Sequence, residues 1–222
     1  MIETVLFDLD GTLLPMDQDE FVNAYMELLA KKMAPQGYDP KHLIAAVWAG
    51  TKAMVENDGK KTNEEVFWED FCHIFGPDAR KDEPLFAEFY AADFAQARTV
   101  CRLAPEAAET IALLKEKGVK PVLATNPLFP AIATHSRLRW AGCELDDFAA
   151  VTTYEDTHYC KPDTRYFTEL LQLMDAGKLS SATAMATSLA GFTGNPAIIK
   201  VVEIGIVAAW AYVESILDIS FV

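Results

Sequence analysis

The chain of 222 residues is poor in cysteine and in basic residues, and each shortage argues against a class of protein. Its four cysteines (Cys72, Cys101, Cys143 and Cys160) are scattered and form no Cys-x-x-Cys pair. This pattern disfavours a disulfide framework or a zinc site and is typical of thiols in a reducing compartment. Only 19 basic residues accompany 33 acidic ones, which gives a net charge of −14. Such a field repels nucleic acid and anionic membrane surfaces, so we expect neither as a partner.

The first apolar run also lacks the features of a secretory leader. Glu3 and Asp8 interrupt it, and no basic segment precedes it. We therefore expect no signal peptide and a cytoplasmic protein. The composition, 51% hydrophobic and 23% charged, is that of a globular chain. Its length suits one main core and a smaller second domain.

Two carboxylates stand out in the stretch Val5-Leu6-Phe7-Asp8-Leu9-Asp10-Gly11-Thr12-Leu13-Leu14. Residues 3–8 are predicted to form a buried strand, whose alternation would send Asp8 and Asp10 to the same side. Gly11 supplies the backbone freedom to turn out of the strand. A solvated acidic turn is the alternative interpretation. A calcium-binding loop fits poorly, because such loops place glycine at the sixth position and glutamate at the twelfth.

The rest of the chain predicts an α/β protein interrupted by helices. From about residue 15 to residue 97 the apolar residues repeat at helical spacing, with aromatic stripes that we expect to form the core of this segment. An alternating pattern then resumes: a helix from Pro105, a strand over 120–125, a helix over 131–140, a strand over 148–153 and a helix after Asp163. Ligands of such sheets bind outside the carboxyl ends of the strands, where Asp8 and Thr125 are expected.

Three of these segments resemble the motifs of the haloacid-dehalogenase-like superfamily of aspartate-nucleophile phosphatases. Phe7–Leu14 is similar to the first motif, Val122–Asn126 to the second and Lys161-Pro162-Asp163 to the third. The resemblance implies a Rossmann-like core with a parallel sheet, formed by residues 1–14 and 98–222. It also implies an all-helical cap domain over residues 15–97, as in the phosphoglycolate-phosphatase-like branch.

The resemblance further implies a phosphomonoester hydrolase that acts on a small phosphorylated metabolite with Mg²⁺. Asp8 would be the nucleophile and Asp10 the general acid and base. Dehalogenases of the superfamily lack the second aspartate, so Asp10 favours phosphoryl chemistry. Lys161 would neutralise the phosphate and the Asp8 carboxylate. The implied phosphate-binding residues are Thr12, Thr125, Asn126 and Lys161, and the implied metal ligands are Asp8 and Asp10.

The fourth motif of the superfamily is not recognisable. It should supply acidic Mg²⁺ ligands about twenty residues after Lys161, yet Thr187 and Ser188 stand there and no carboxylate occurs between Asp175 and Glu203. A hydroxyl does not replace a charged oxygen ligand of Mg²⁺ without a large loss of affinity. Two alternatives therefore stay open beside the phosphatase. One is a catalytically impaired phosphate-binding or interaction protein, and the other is a phosphomutase.

The tail is unusually apolar over residues 196–213, and three interpretations of it stay open. It would form the last helix and strand of the core, or a membrane span, although it is short and charged for a span. The third is that residues 177–222 are atypical because unrelated sequence has been joined near Gly177.

Overall fold

The computed structural model describes residues 3–175. The predictions for residues 177–222, including the missing fourth motif and the apolar tail, lie outside the described residues. The chain runs through two strands and seven α-helices in this part, joined by turns and 3-10 segments. The elements are β1 (Thr4–Phe7), α1 (Gln18–Met33), α2 (Pro40–Val55), α3 (Asn63–Phe75), α4 (Glu83–Ala91), α5 (Pro105–Glu116), β2 (Lys120–Leu123), α6 (Ala131–Trp140) and α7 (Thr164–Asp175). No helix of residues 3–175 is long and apolar enough to cross a membrane.

The two strands pair in parallel, which confirms the predicted α/β class with a parallel sheet. Thr4 lies opposite Lys120, and Phe7 lies opposite Leu123. Parallel neighbours need a long crossover, and here the crossover consists of helices α1 to α5. β1 is only partly buried beyond Thr4, although the sequence predicts a buried strand. The register places the residues that follow Phe7 and Leu123 at the same edge of the sheet.

The strand predicted over residues 148–153 is reduced to a single bridge between Val151 and Leu123. Its backbone still runs beside β2, since the N–H of Leu123 donates to the carbonyl of Ala150 at 2.9 Å. A 3-10 segment over Leu145–Asp147 precedes it, and a turn begins at Thr153. The backbone bonds to β2 are confined to residues 149–152, between these two turns.

The helices predicted between residues 15 and 97 are present, and local residues fix their ends. Asp39 caps α2 by accepting from the N–H of His42, and Pro40 occupies the first turn, where its missing N–H costs nothing. Thr62 and Glu65 form a capping box at the start of α3. The last predicted stretch is α4 followed by a 3-10 segment over Asp93–Val100.

The aromatic residues of these inserted helices pack into a core that they share with the α/β part. Tyr25 of α1 lies 5.5 Å from Phe129, and Phe94 lies 5.1 Å from Trp140 of α6, ring centre to ring centre. Leu9 and Leu14 of the first motif belong to the same buried cluster. The aromatic stripes therefore form the core of the inserted segment, as predicted from the sequence, and this core continues into the α/β part. The shared core places the inserted helices directly against the motif.

Helix α7 builds a second, smaller cluster on the other face of the two-stranded sheet. Tyr166, Leu170 and Met174 repeat at helical spacing and are almost fully buried against Val122 of β2. This packing fixes the segment that leads into α7, which contains Lys161.

Candidate active site

The turn after β1 brings Asp8 and Asp10 together. The N–H groups of Thr12 and Leu14 donate to the carbonyl of Leu9 at 3.1 and 2.9 Å, which closes the turn. Gly11 has a φ of 77°, a left-handed conformation that favours glycine. The buried side chain of Leu9 separates the two acids and anchors the turn in the core. The negative charge of Asp8 acts directly on the carboxyl group of Asp10, so the two side chains share one neighbourhood.

Lys161 reaches this turn from the far end of the described chain. Its Nζ donates to Oδ1 of Asp8 at 2.9 Å, and the side chains are only 11% and 16% exposed. The backbone N–H of Lys161 donates to Oδ1 of Asn126 at 3.1 Å. Asn126 follows β2, so the loops after β1 and β2 and the loop before α7 meet at one point. Three of the sequence-predicted residues (Asp8, Asn126 and Lys161) are therefore joined by hydrogen bonds.

Thr125 and Thr12 are placed differently from each other. Thr125 is 2% exposed, and its carbonyl accepts from the hydroxyl groups of Thr152 and Tyr166 at 2.8 and 2.9 Å. These bonds fix the backbone immediately before Asn126. Thr12 is exposed, and its backbone N–H takes part in closing the first turn. Thr125 therefore belongs to the rigid frame of the site, while Thr12 lies at its edge.

Arg137 of α6 is part of the site, and sequence reasoning missed it. Its guanidinium is fully buried, and Nη1 donates to Oδ2 of Asp10. It also lies over the ring of Phe129, with 4.1 Å between the guanidinium carbon and the ring centre. The sequence held no local signal for it, because Arg137 and Arg139 both stand near the end of α6, and only the structure shows Arg137 on the buried face with Ala133 and Leu138.

The two acids of the site have different partners and different surroundings. Burial is the largest influence on the pKa of Asp10 and raises it above its ordinary value. The charge of Arg137 opposes this shift, and the charge of Asp8 reinforces it. Raising the pKa of a carboxyl group makes it a better proton donor near neutral pH. Asp8 and Asp10 thus suit different tasks.

A divalent cation finds a limited set of ligands here. Residues 3–175 contain no group of three or more His, Cys, Asp or Glu side chains placed to hold a metal ion. Mg²⁺ often binds one or two protein oxygens and completes its shell with water and substrate phosphate. Lys161 occupies Oδ1 of Asp8, and within the described residues Oδ2 of Asp8 accepts no hydrogen bond. Asp8 therefore fits as one ligand of such a site.

Comparisons with known proteins point to one family over most of the chain. The family model described as haloacid dehalogenase-like hydrolase matches residues 2–186. A second model, of a family of unknown function (DUF5702), matches residues 165–222. The two matches overlap near α7, shortly after the third motif.

Among individual proteins, a phosphoglycolate phosphatase of Aquifex aeolicus (strain VF5) is 24% identical over 127 residues. That alignment covers 57% of this chain and 50% of the relative, so it spans half the relative's length. A putative haloacid dehalogenase-like hydrolase from Bacteroides fragilis is a structural match with a TM-score of 0.39 and 19% identity, covering 81% of this chain and 75% of that one. The L-2-haloacid dehalogenase of Xanthobacter autotrophicus, with chloropropionic acid covalently bound, gives a TM-score of 0.41 and 19% identity. This match covers 79% of this chain and 66% of that one. Because the hydrolase model matches well over half of the sequence, the chain belongs to the haloacid dehalogenase-like hydrolases.

Proposed function

We propose that the chain is a phosphomonoester hydrolase in which Asp8 is the nucleophile. The observation that carries this proposal is the contact between Asp8 and Lys161, with Asp10 in the same turn. A nucleophilic carboxylate, a cation beside it and a carboxyl group with raised pKa are the parts that phosphoryl transfer to an aspartate needs. Membership of the hydrolase family and the similarity to a phosphoglycolate phosphatase support the same reaction.

In this mechanism an oxygen of Asp8 attacks the phosphorus atom, and the bond from phosphorus to the ester oxygen breaks. Asp10 gives its proton to the departing oxygen, and the phosphoryl group remains on Asp8. Asp10 then takes a proton from the water that attacks this aspartyl-phosphate, which releases inorganic phosphate and restores Asp8. Lys161 compensates the negative charge that gathers around Asp8, and Thr12, Thr125 and Asn126 are the proposed phosphate-binding residues.

Mg²⁺ is the proposed cofactor, held by the Asp8 carboxylate and by the backbone carbonyl of Asp10. When bound, it would screen the negative charges of the carboxylate and the phosphate from each other. Lys161 would also screen these negative charges, since its Nζ already binds the Asp8 carboxylate.

The substrate is proposed to be a small phosphorylated metabolite. The protein's net charge of −14 repels phosphate esters at long range, so recognition must come from the local groups of the site. We propose that residues 15–97 act as a cap domain over the core formed by residues 1–14 and 98–222. Aromatic residues of α1 and α4 already pack beside the site, which supports a role of these helices in substrate choice. Phosphoglycolate is the first metabolite to test.

The test is hydrolysis of 4-nitrophenyl phosphate and phosphoglycolate, with Mg²⁺ or with EDTA, by the wild type and by Asp8→Asn. Asp78→Asn is the matched control, because that aspartate is 84% exposed. We expect a rate that requires both Mg²⁺ and Asp8 and that survives in the control. Hydrolysis that persists unchanged in Asp8→Asn would overturn the proposal.

A second candidate is a phosphate-binding member that has lost catalysis. It is motivated by Thr187 and Ser188, which stand where acidic Mg²⁺ ligands are expected. It predicts that a cooperatively folded protein binds a phosphate analogue such as vanadate without turning over either substrate. Any rate that depends on Mg²⁺ and Asp8 removes this candidate.

A further inference from the structure

Arg137 is a fully buried cation, and the reaction described so far gives it no task. Its surroundings hold it in one geometry. Nη2 lies 3.4 Å from Oγ1 of Thr134, Nε lies 3.5 Å from the carbonyl of Ala133, and the ring of Phe129 covers one face. Removing a guanidinium from water is strongly unfavourable before its interactions are counted. A salt bridge at such a site therefore calls for a reason beyond stability.

Arg137 binds one carboxylate oxygen of Asp10, and the other oxygen has no hydrogen-bond partner among the described residues. Oδ2 of Asp10 accepts from Nη1 of Arg137. Oδ1 of Asp10 is buried and has no hydrogen-bond partner among the described residues. Buried polar atoms are nearly always hydrogen-bonded, so this vacant oxygen needs an explanation. A group that enters the site during the reaction would provide one.

The chemistry of the arginine assigns the roles of the two oxygens. Arginine only donates, so Oδ2 must accept from it whether Asp10 is ionised or protonated. When Asp10 carries a proton, that proton is consequently on Oδ1. Fixing Oδ2 also limits rotation of the carboxyl plane, which holds Oδ1 in one place.

We infer that Arg137 is a positioning residue, which holds Asp10 through Oδ2 so that Oδ1 exchanges the proton with the leaving group and with water. This inference rests on the proposed phosphatase function and deepens it. Arg137 is fully buried beneath the site and touches no solvent, so it acts through Asp10 and is not a substrate-binding residue. Positioning of this kind matters because small displacements of a catalytic group lower rates strongly.

The experiment uses substrates that differ in their need for a proton. The leaving group of 4-nitrophenyl phosphate departs as a stable anion, whereas that of phosphoglycolate or glycerol phosphate is an alkoxide that needs protonation. kcat/KM is measured for both classes, because it reports the steps up to the first phosphoryl transfer. Arg137→Gln and Arg137→Lys are compared with the wild type. Arg139→Gln is the matched control, since Arg139 is on the same helix and exposed.

For Arg137→Gln we expect kcat/KM to fall about 100-fold with the alkyl phosphate, in line with the usual contribution of general acid catalysis. With the aryl phosphate we expect a fall of less than about 10-fold, because only the acid step is impaired. Arg137→Lys should recover part of the alkyl rate, since it keeps the charge but not the planar geometry. Should Arg137→Gln fail to unfold cooperatively in urea, Arg137→Lys carries the test, with a smaller but equally selective loss.

Equal losses with the two classes, or no loss in either, would overturn the inference. The proposed function fails separately, by a wild type that turns over neither class or by an Asp8→Asn variant that turns over both. If the wild type turns over neither class, the inference fails together with the proposed function. If Asp8→Asn turns over both classes, the wild type is active, and the effect of Arg137→Gln is still measured against the wild-type rate.

Discussion

The two aspartates of the first turn lie two residues apart in the sequence, yet they pair with different cations in different surroundings. Asp8 pairs with Lys161 in a loop, and both side chains keep some contact with solvent. Asp10 pairs with Arg137 of α6, whose guanidinium has none. The first pair joins segments that are 153 residues apart at the mouth of the site. The second pair joins the turn to the packed face of a helix.

This difference shows that the two acids of one motif have counter-charges in different surroundings, one partly exposed and one fully buried. Like charges on Asp8 and Asp10 repel, and a cation on each side offsets that repulsion. Under the proposed function, the offset at Asp8 would change on phosphate binding, because a phosphoryl group would compete for Lys161. The offset at Asp10 is enclosed by Phe129 and by the backbone of α6, so it persists throughout.

The largest expected effect comes from neutralising the two acids one at a time. Asp10→Asn leaves a fully buried guanidinium without its anion, and breaking a buried pair costs about 3–5 kcal/mol. We expect about 3 kcal/mol, since asparagine still offers an accepting oxygen. Asp8→Asn should cost less, about 1 kcal/mol, because Lys161 keeps some exposure and the change also removes repulsion between the acids. Urea unfolding of both variants measures the difference, and equal losses would contradict the contrast between the two pairs.

The next effect concerns Lys161 and appears in catalysis. Lys161→Met removes the cation beside Asp8, and we expect kcat/KM for phosphate esters to fall about 10²–10³-fold, as for other groups that stabilise transition-state charge. Lys161→Arg should keep more of the rate, because it keeps the charge. Lys81→Met is the control, at a lysine that is 76% exposed. A loss below 10-fold in Lys161→Met would show that the contact with Asp8 is incidental to the reaction.

These two pairs also show what sequence can and cannot supply. Asp8, Asn126 and Lys161 were predictable because each stands in a segment that resembles a family motif, and the structure joins them by hydrogen bonds. Arg137 was not predictable, because two arginines near the end of a helix are typical of a solvated last turn, where cations interact favourably with the helix dipole. Arg137 is fully buried and Arg139 is exposed. Only the packing of α6 on the turn separates them.

The same limit applies to the fold. The helix ends at Asp39 and Thr62 depend on bonds within one turn, so local sequence is sufficient to specify them. The strand expected over 148–153 is limited to residues 149–152, between a 3-10 segment and a turn, and its bonds to β2 are long-range contacts that local sequence does not show. The shared aromatic core was unpredictable for a related reason. A helical stripe shows which face is buried and not which partner covers it.

The smallest expected effect comes from a neutral buried group that also joins distant segments. Asn63, at the start of α3, is fully buried. Its Oδ1 accepts from Nδ2 of Asn57 at 2.9 Å, and its Nδ2 donates to Oγ1 of Thr157 at 3.3 Å and to the carbonyl of Pro127 at 3.4 Å. These contacts tie the inserted helices to the loops that hold Asn126 and Lys161.

Asn63→Ala would leave these buried partners unpaired, which costs about 1–3 kcal/mol. We expect about 2 kcal/mol in urea unfolding, below the loss for Asp10→Asn, because no charge is left uncompensated. Thr62→Ala is the matched control: it is the adjacent residue, and loss of its cap alone should cost about 1 kcal/mol. The backbone N–H of Asn63 donates to the carbonyl of Thr157 at 2.8 Å, and the substitution keeps this backbone donor. We therefore expect α3 to stay docked and kcat/KM to change less than in Lys161→Met. A loss no greater than that of Thr62→Ala would mean that the backbone bonds alone hold α3 against the site.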